Sequence, residues 1–384
     1  MTNFNSLNKN RFETVVKLLT GLFLLLIVYK IYRLFFIHNK LSDYLFSENL
    51  LHYEGGYIRR SLLGNLFIAF PEPYWKLSVI ILYSGMIILL LAYVLRHNKN
   101  IYALLLFLSA PFGIRMVMFD FGSMYRKEFI FILPIILVIT LYRSYKDHTA
   151  NLIIAVLLST MMIMVHESFI FLGMPVIAWV IYISNAGIRK VAAYAFLCGI
   201  AFLVLSRTPT VSQIQALDQF FAAHNIDWSK TRLYMTFSKT ETLNMAISHL
   251  LKGSIFLYLL FFIPVVLYMF YMRMINRKLV ILLAVQLIFC TTLCIIAIDY
   301  GRWLSFMLLS FFICMFIYGD LDEMALRIRT SAKDKLLYVL ILLFMLSVYL
   351  PHFIQNYHFT QNIIEYSFLE KISYSFSELV KENQ

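Results

Sequence analysis

A chain of 384 residues that is 61% hydrophobic, 17% aromatic and only 14% charged, with mean hydropathy +0.76, falls well below the roughly 25% charged residues of a soluble domain. These values exclude a water-solvated globule and predict an all-α, polytopic membrane bundle. The net charge of +12 does not predict a nucleic-acid partner, because Lys and Arg fall in short clusters between apolar runs rather than along one face.

In chain order, Lys9, Arg11 and Lys17 precede a long apolar run with no small-residue cleavage site after it, which predicts a retained signal anchor. At about 20 residues per span, apolar segments lie near 15–37, 77–95, 101–118, 128–142, 151–165, 168–184, 189–206, 254–272, 279–298, 303–318 and 335–350. The expectation is about eleven spans in a single transmembrane domain, 1–384, with two long connections at 38–76 and 207–253. With the N-terminus in the cytoplasm, Arg96 and Lys99, Arg143 and Lys146, Arg189 and Lys190, Arg273, Arg277 and Lys278, and Arg327, Arg329, Lys333 and Lys335 all fall on the cytoplasmic side. That is the positive-inside pattern, and it places both long connections on the outer face. Within them, Ile58, Leu62, Leu66 and Phe70 recur every four residues. Leu217, Phe220 and Phe221, and then Leu243, Ile247 and Leu250, form similar groups. These patterns predict interfacial amphipathic helices that roof a cavity or lie on the surface. Cys198, Cys290, Cys294 and Cys314 all sit inside apolar runs, where packing is the expected role.

The outer connections collect the chain's least apolar stretches: HYEGGYIRR at 52–60, FDFGSMYRKE at 119–128, VHES at 165–168 and IDYGRW at 298–303. Ionisable groups at span ends are costly and face a cavity or a partner. In three stretches glycine precedes cations: Gly55-Gly56 before Arg59 and Arg60, Gly122 before Arg126 and Lys127, and Gly301 before Arg302. If a helix starts at each glycine, the cations crowd its positive end and call for an anion. Arginine forks match phosphate oxygens, so Arg59, Arg60, Arg126, Lys127 and Arg302 are the candidate diphosphate binders. Loop-stapling ion pairs are the bland alternative for any one of them.

Glu54, Asp120, Asp299 and the His166–Glu167 pair are candidate proton carriers. For each, a structural role at a loop or helix start is the alternative. The sequence calls for no cofactor, although Asp120, Glu128 and Asp299 leave a divalent metal open. No nucleotide-binding glycine loop, zinc spacing or serine–histidine triad is present.

An outer-face phosphate site among carboxylates and aromatics suits a lipid-linked sugar diphosphate. The expected reaction is glycosyl transfer, with arginines holding the departing diphosphate and a carboxylate or histidine taking the hydroxyl proton. On Glu54 in the first outer loop and on Arg59, Arg60, Arg126 and Arg302, the chain resembles the bacterial O-antigen polymerases (Wzy-type). More broadly it resembles the class C integral-membrane glycosyltransferases. The resemblance covers the whole chain in topology and is thin in motif: an arginine-plus-glycine spacing is missing from Arg207 or Arg232, and the first outer loop lacks a paired acidic motif. It implies an inner-membrane enzyme with a periplasmic site, a polyprenyl-diphosphate-linked oligosaccharide as substrate, surrounding membrane lipids and a chain-length regulator as a possible partner. Rival readings are a membrane O-acyltransferase centred on His166 and a flippase for the same lipid-linked sugars.

Overall fold

The structure is a computed structural model and describes residues 2–36, 43–53, 56–98, 100–110, 125–145, 148–184, 186–236, 240, 243–244, 246–248, 254–296 and 300–347. Among these residues there is no strand. In chain order the helices are α1 (Thr2–Phe36), α2 (Asp43–Asn49), α3 (Leu62–Ile68), α4 (Trp75–His97), α5 (Ile101–Ser109), α6 (Ile132–Tyr145), α7 (Thr149–Val165), α8 (Phe169–Leu172), α9 (Met174–Ile183), α10 (Ile188–Leu205), α11 (Val211–Ala223) and α12 (Ser229–Thr236). They continue with α13 (Ser254–Tyr271), α14 (Arg277–Ile296), α15 (Tyr300–Tyr318), α16 (Leu321–Thr330) and α17 (Ala332–Ser347).

Among the described residues, six segments are long and apolar enough to cross a membrane: Arg11–Tyr32, Glu72–His97, Lys127–Tyr145, Ile188–Leu205, Arg277–Ile296 and Gly301–Tyr318. Three shorter apolar helices accompany them, at Thr149–Val165, Phe169–Ile183 and Tyr258–Tyr271. The expectation of about eleven spans therefore holds for multi-pass character but not for the count. Near 101–118 the described helix stops at Ser109, and α17 falls short of span length with 16 residues.

Local chemistry sets several boundaries. Asn100 caps α5, its side chain accepting from the backbone N–H of Tyr102 and Ala103 at 3.0 and 3.2 Å, which satisfies two orphan donors. Thr210 and Gln213 form a reciprocal capping box on α11. That helix ends where Asn225 turns into the left-handed region at φ 52° and Ile226 N–H reaches back to Phe221 O.

Burial separates an inner helix from an outer one. In α15, 89% of the span window is buried, whereas α10 is only 11% buried. Phe306, Phe312 and Phe316 of α15 meet Phe131 and Phe107 edge-on, at centroid distances of 5.3 to 5.7 Å. On α10, Phe196 and Leu203 are 68% and 75% exposed. A surface this apolar is at home in hydrocarbon rather than water.

The amphipathic pieces are partly as expected. In α11, Leu217 and Phe221 are fully buried. Phe220 packs on His52 at 4.2 Å and on Trp75 at 5.7 Å, so α11 lies over the 52–75 segment. The helix expected from Ile58 is corrected: Ile58 is buried in a non-helical stretch, and α3 begins only at Leu62. Leu66 and Phe70 are exposed. Leu243 and Ile247 are described and exposed, while Leu250 lies outside the described residues.

Candidate functional site

The polar stretches read from the sequence meet at one end of the bundle, and each is held there by a break in helical structure. Arg59 and Arg60 occupy the turn before α3. Arg126 precedes a 3-10 turn, Lys127–Phe131, that leads into α6. His166 and Glu167 fill the gap between α7 and α8. Arg302 lies in the first turn of α15. The expectation that a helix starts at the glycine fits Gly301, which stands in the first turn of α15. Arg59 and Arg60 lie ahead of their helix, and Gly55 and Gly122 are outside the described residues. Glu54, Asp120 and Asp299 also lie outside them.

Glu167 anchors the first half of the cluster. Arg60 donates to it from Nε, at 3.0 Å to Oε1 and 2.8 Å to Oε2, and from Nη2 to Oε1. Arg59 Nη1 lies 3.5 Å from the same Oε1. Arg60 adopts φ 67°, a left-handed conformation uncommon outside glycine. In that conformation its carbonyl accepts from the ammonium of the fully buried Lys127.

Arg126 anchors the second half. Its Nη1 donates to Glu48 Oε2 at 2.8 Å and to the Tyr44 hydroxyl at 2.8 Å, and the guanidinium sits 4.9 Å over the Tyr44 ring. Asn49 fixes this arrangement, donating to Tyr125 O at 3.1 Å and accepting from Tyr83 OH at 2.9 Å.

The two halves are joined by Glu128 and His166. Arg302 Nη2 is 3.1 Å from Glu128 Oε1, and His166 Nε2 is 3.7 Å from that oxygen. The backbone N–H of Ser168 donates to His166 Nδ1 at 3.1 Å, and the Ser168 hydroxyl lies 2.9 Å from the same atom. An N–H cannot accept, so Nδ1 carries the lone pair and Nε2 the proton.

Burial and charge set the protonation states. For Glu167, burial opposes ionisation most, but Arg60 and Arg59 overcome it and hold the carboxyl well below its usual range. Glu48 behaves alike: burial is again the largest influence, and Arg126, Lys127, Arg60 and Arg302 outweigh it. His166 moves well below its ordinary value, through burial first and then through Arg60, despite Glu167 and Glu48. It is a neutral imidazole near pH 7. Burial, assisted by Glu48, pushes the Tyr44 phenol up to about 12 against the pull of Arg126.

Among the described residues the cluster sets five cations, Arg59, Arg60, Arg126, Lys127 and Arg302, against the carboxylates of Glu48, Glu128 and Glu167. A buried excess of positive charge favours an anion. Arg59 Nε is buried with no hydrogen-bond partner, and burial, then Arg60, draws its pKa down against the pull of Glu167. The expected diphosphate binders are thus brought together, but as ion-paired side chains rather than as a bare cationic ring. Sequence reading missed Glu48 and weighed Glu128 only as a metal ligand. Glu48 stands one turn from Tyr44 on a short helix with no nearby motif, and Glu128 was legible as the acid next to Arg126 and Lys127. No group of three or more metal-ligating side chains occurs among the described residues.

Comparisons with family models, curated proteins and solved structures return no match.

Proposed function

We propose that this chain is an integral-membrane glycosyltransferase. In this reading it transfers or polymerises polyprenyl-diphosphate-linked glycan units at the periplasmic face of a bacterial inner membrane, during surface-polysaccharide synthesis. The observation that carries the reading is the convergence of Arg59, Arg60, Arg126, Lys127 and Arg302 with buried carboxylates at one end of an apolar bundle. Arginines fixed by Glu167 and Glu48 are pre-organised donors for charge that develops on a leaving diphosphate, and pre-organisation is what lowers the barrier. The lipid tail of such a donor stays in the hydrocarbon beside the bundle while its diphosphate reaches the polar end.

The rivals fit less well. A histidine-centred acyl transfer needs an imidazole lone pair aimed at the reacting hydroxyl, and the His166 lone pair is engaged by Ser168. A flippase needs charges along a path through the midplane, whereas these lie at helix ends.

The test is a gel of surface polysaccharide from cells with and without the gene, repeated with Arg59→Ala. Collapse of the ladder to one repeat unit is expected for a polymerase, and a shortened repeat for a single-sugar transferase. Loss of an anion contact by Arg59→Ala is expected to lower transfer roughly 10- to 100-fold while the protein still inserts. An intact ladder in the deletion strain overturns the proposal.

A further inference from the structure

Among the described residues, every carboxylate in the cluster except one receives aligned hydrogen bonds. Glu48 has Arg126 and Glu167 has Arg60. Glu128 is 2% exposed, and neither of its oxygens has a hydrogen-bond partner. Arg302 stands at ion-pair distance from Oε1, and the Nε2 side of His166 lies beyond hydrogen-bond reach at 3.7 Å. Buried carboxylate oxygens without donors are costly, and such groups in folded proteins mark a catalytic role or a ligand's place.

Of the proton carriers read from the sequence, Glu54, Asp120 and Asp299 lie outside the described residues; the two that are described, Glu167 and His166, are already committed. Glu167 is clamped by Arg60 and Arg59, which stabilise its ionised form and weaken it as a base. His166 has its lone pair on Nδ1, where Ser168 N–H occupies it, and its proton on Nε2. It can donate toward Glu128 but cannot receive a proton from a substrate without first losing that arrangement.

From this geometry we infer that Glu128 is the proton acceptor for the attacking sugar hydroxyl. The inference rests on the glycosyl-transfer reading. In the step, the acceptor hydroxyl oxygen bonds to the anomeric carbon of the donor sugar and its proton passes to a Glu128 oxygen. The bond from the anomeric carbon to the diphosphate oxygen breaks, and the electron pair leaves with the diphosphate. The unpartnered Nε–H of Arg59 supplies a donor for that charge within the same cluster. Two orphan groups of opposite character, acceptor oxygens and a guanidinium N–H, match a ligand that carries both a hydroxyl and a phosphate. After transfer the proton leaves Glu128 for solvent and the carboxylate is restored.

The experiment uses the full chain in lipid nanodiscs. Transfer is followed with the lipid-linked oligosaccharide that accumulates in cells lacking the gene, and anion binding is followed separately with inorganic pyrophosphate. E128Q is expected to lower transfer by about 10²- to 10⁴-fold, the usual contribution of a general base. Its pyrophosphate binding should be kept or tightened, because a negative charge is removed.

Wild-type transfer with E128Q within tenfold of it overturns the assignment of Glu128 and leaves the glycosyl-transfer reading standing. Wild-type protein that binds pyrophosphate but transfers nothing overturns that reading, and the proton acceptor falls with it. Parallel loss of binding and transfer in an inserted E128Q makes Glu128 a structural partner of Arg302 and overturns the inference. Where E128Q fails to insert, E128D decides. It keeps the charge but withdraws it by one methylene, so full transfer overturns the inference, and lost transfer with pyrophosphate binding retained supports it.

Discussion

Arg60 is used at two ends at once. Its side chain grips Glu167 through two nitrogens, and its carbonyl, turned by the left-handed backbone, receives the Lys127 ammonium. Removing its partner leaves a guanidinium with little water around it, and breaking a buried pair in this way costs about 3 kcal/mol or more. Glu167→Gln is therefore expected to lower the thermal unfolding temperature of the detergent-solubilised protein by several degrees, and an unchanged unfolding temperature would show that water screens the pair. The same groups predict acid lability. Glu48, Glu167 and His166 all have folded pKa values below their unfolded ones, so the unfolded chain takes up protons first. Stability is full above about pH 6.5, the unfolded histidine value, and begins to fall below it. It falls again below about pH 4.3, where unfolded carboxylates protonate, and continues down through the folded values. His166→Gln should remove the upper step and leave the lower one in a pH series of melting curves. At this scale the sequence was informative where charge stood beside glycine or at a span end, as at Arg59, Arg60, His166 and Arg302. The partner that each cation would choose was not legible, because Glu48 and Arg126 are 78 residues apart and meet only through the fold.

Among the elements, α11 and α3 show how the polar end is closed. The Gln213 side chain completes the α11 capping box and also donates to Tyr57 O at 2.9 Å, which ties the roof to the segment carrying Arg59 and Arg60. Thr210→Ala should cost about 1 kcal/mol of local stability. The expected readout is faster proteolytic cleavage within 207–236 with the spans intact, and equal cleavage rates would show that packing of Leu217 and Phe221 alone holds the roof. Beneath it, α3 packs so closely on the preceding turn that a Cβ added at Gly64 would lie 1.8 Å from Leu51 O. Backbone cannot yield as a side-chain tip does, so Gly64→Ala should destabilise the protein by about 2 kcal/mol or more. A wild-type melting temperature would refute that contact. The period of four from Ile58 to Phe70 showed that a short amphipathic helix was present but misplaced its start, because Ile58 is buried in the non-helical stretch ahead of the arginine turn. The amphipathic pattern of α11 was legible for the most part: Leu217 and Phe221 are buried and Phe220 partly so, but Ile214, also buried, was not among the residues read.

At the scale of the molecule, the two ends of the bundle carry different chemistry. Arg302 and Tyr318 stand at opposite ends of α15, about 24 Å apart by helical rise. Beyond the far end, Arg327 pairs with Asp334 at 3.1 Å and stacks 4.6 Å over Tyr271, and Arg329 reaches Glu13 at 3.2 Å. This second ionic group lies among the basic connections read as cytoplasmic. The topology has a direct check. All four native cysteines are buried, so Asp227→Cys and Arg189→Cys, both at exposed positions, report the two faces. Asp227→Cys should react with a membrane-impermeant thiol reagent in cells whose outer membrane is permeabilised, and Arg189→Cys only after the inner membrane is opened. Labelling of both from the same side would overturn the proposed orientation. Composition made the membrane class plain, whereas the number of crossings was not legible, because α5, α7 and α17 are apolar but short and length alone cannot say how deep each sits.

The burial of α15 has a consequence for biosynthesis. This helix begins at Tyr300, so most of the chain leaves the ribosome before the segment around which the bundle packs exists. Glu48, Arg60, Lys127, Glu128 and His166 all enter the membrane ahead of Arg302, and for that interval the Glu128 carboxylate lacks its guanidinium neighbour. Nascent chains stopped short of α15 would therefore carry an unfilled centre and an incomplete set of counter-charges, which makes the arrival of this one late helix the step that commits the protein to its final assembly.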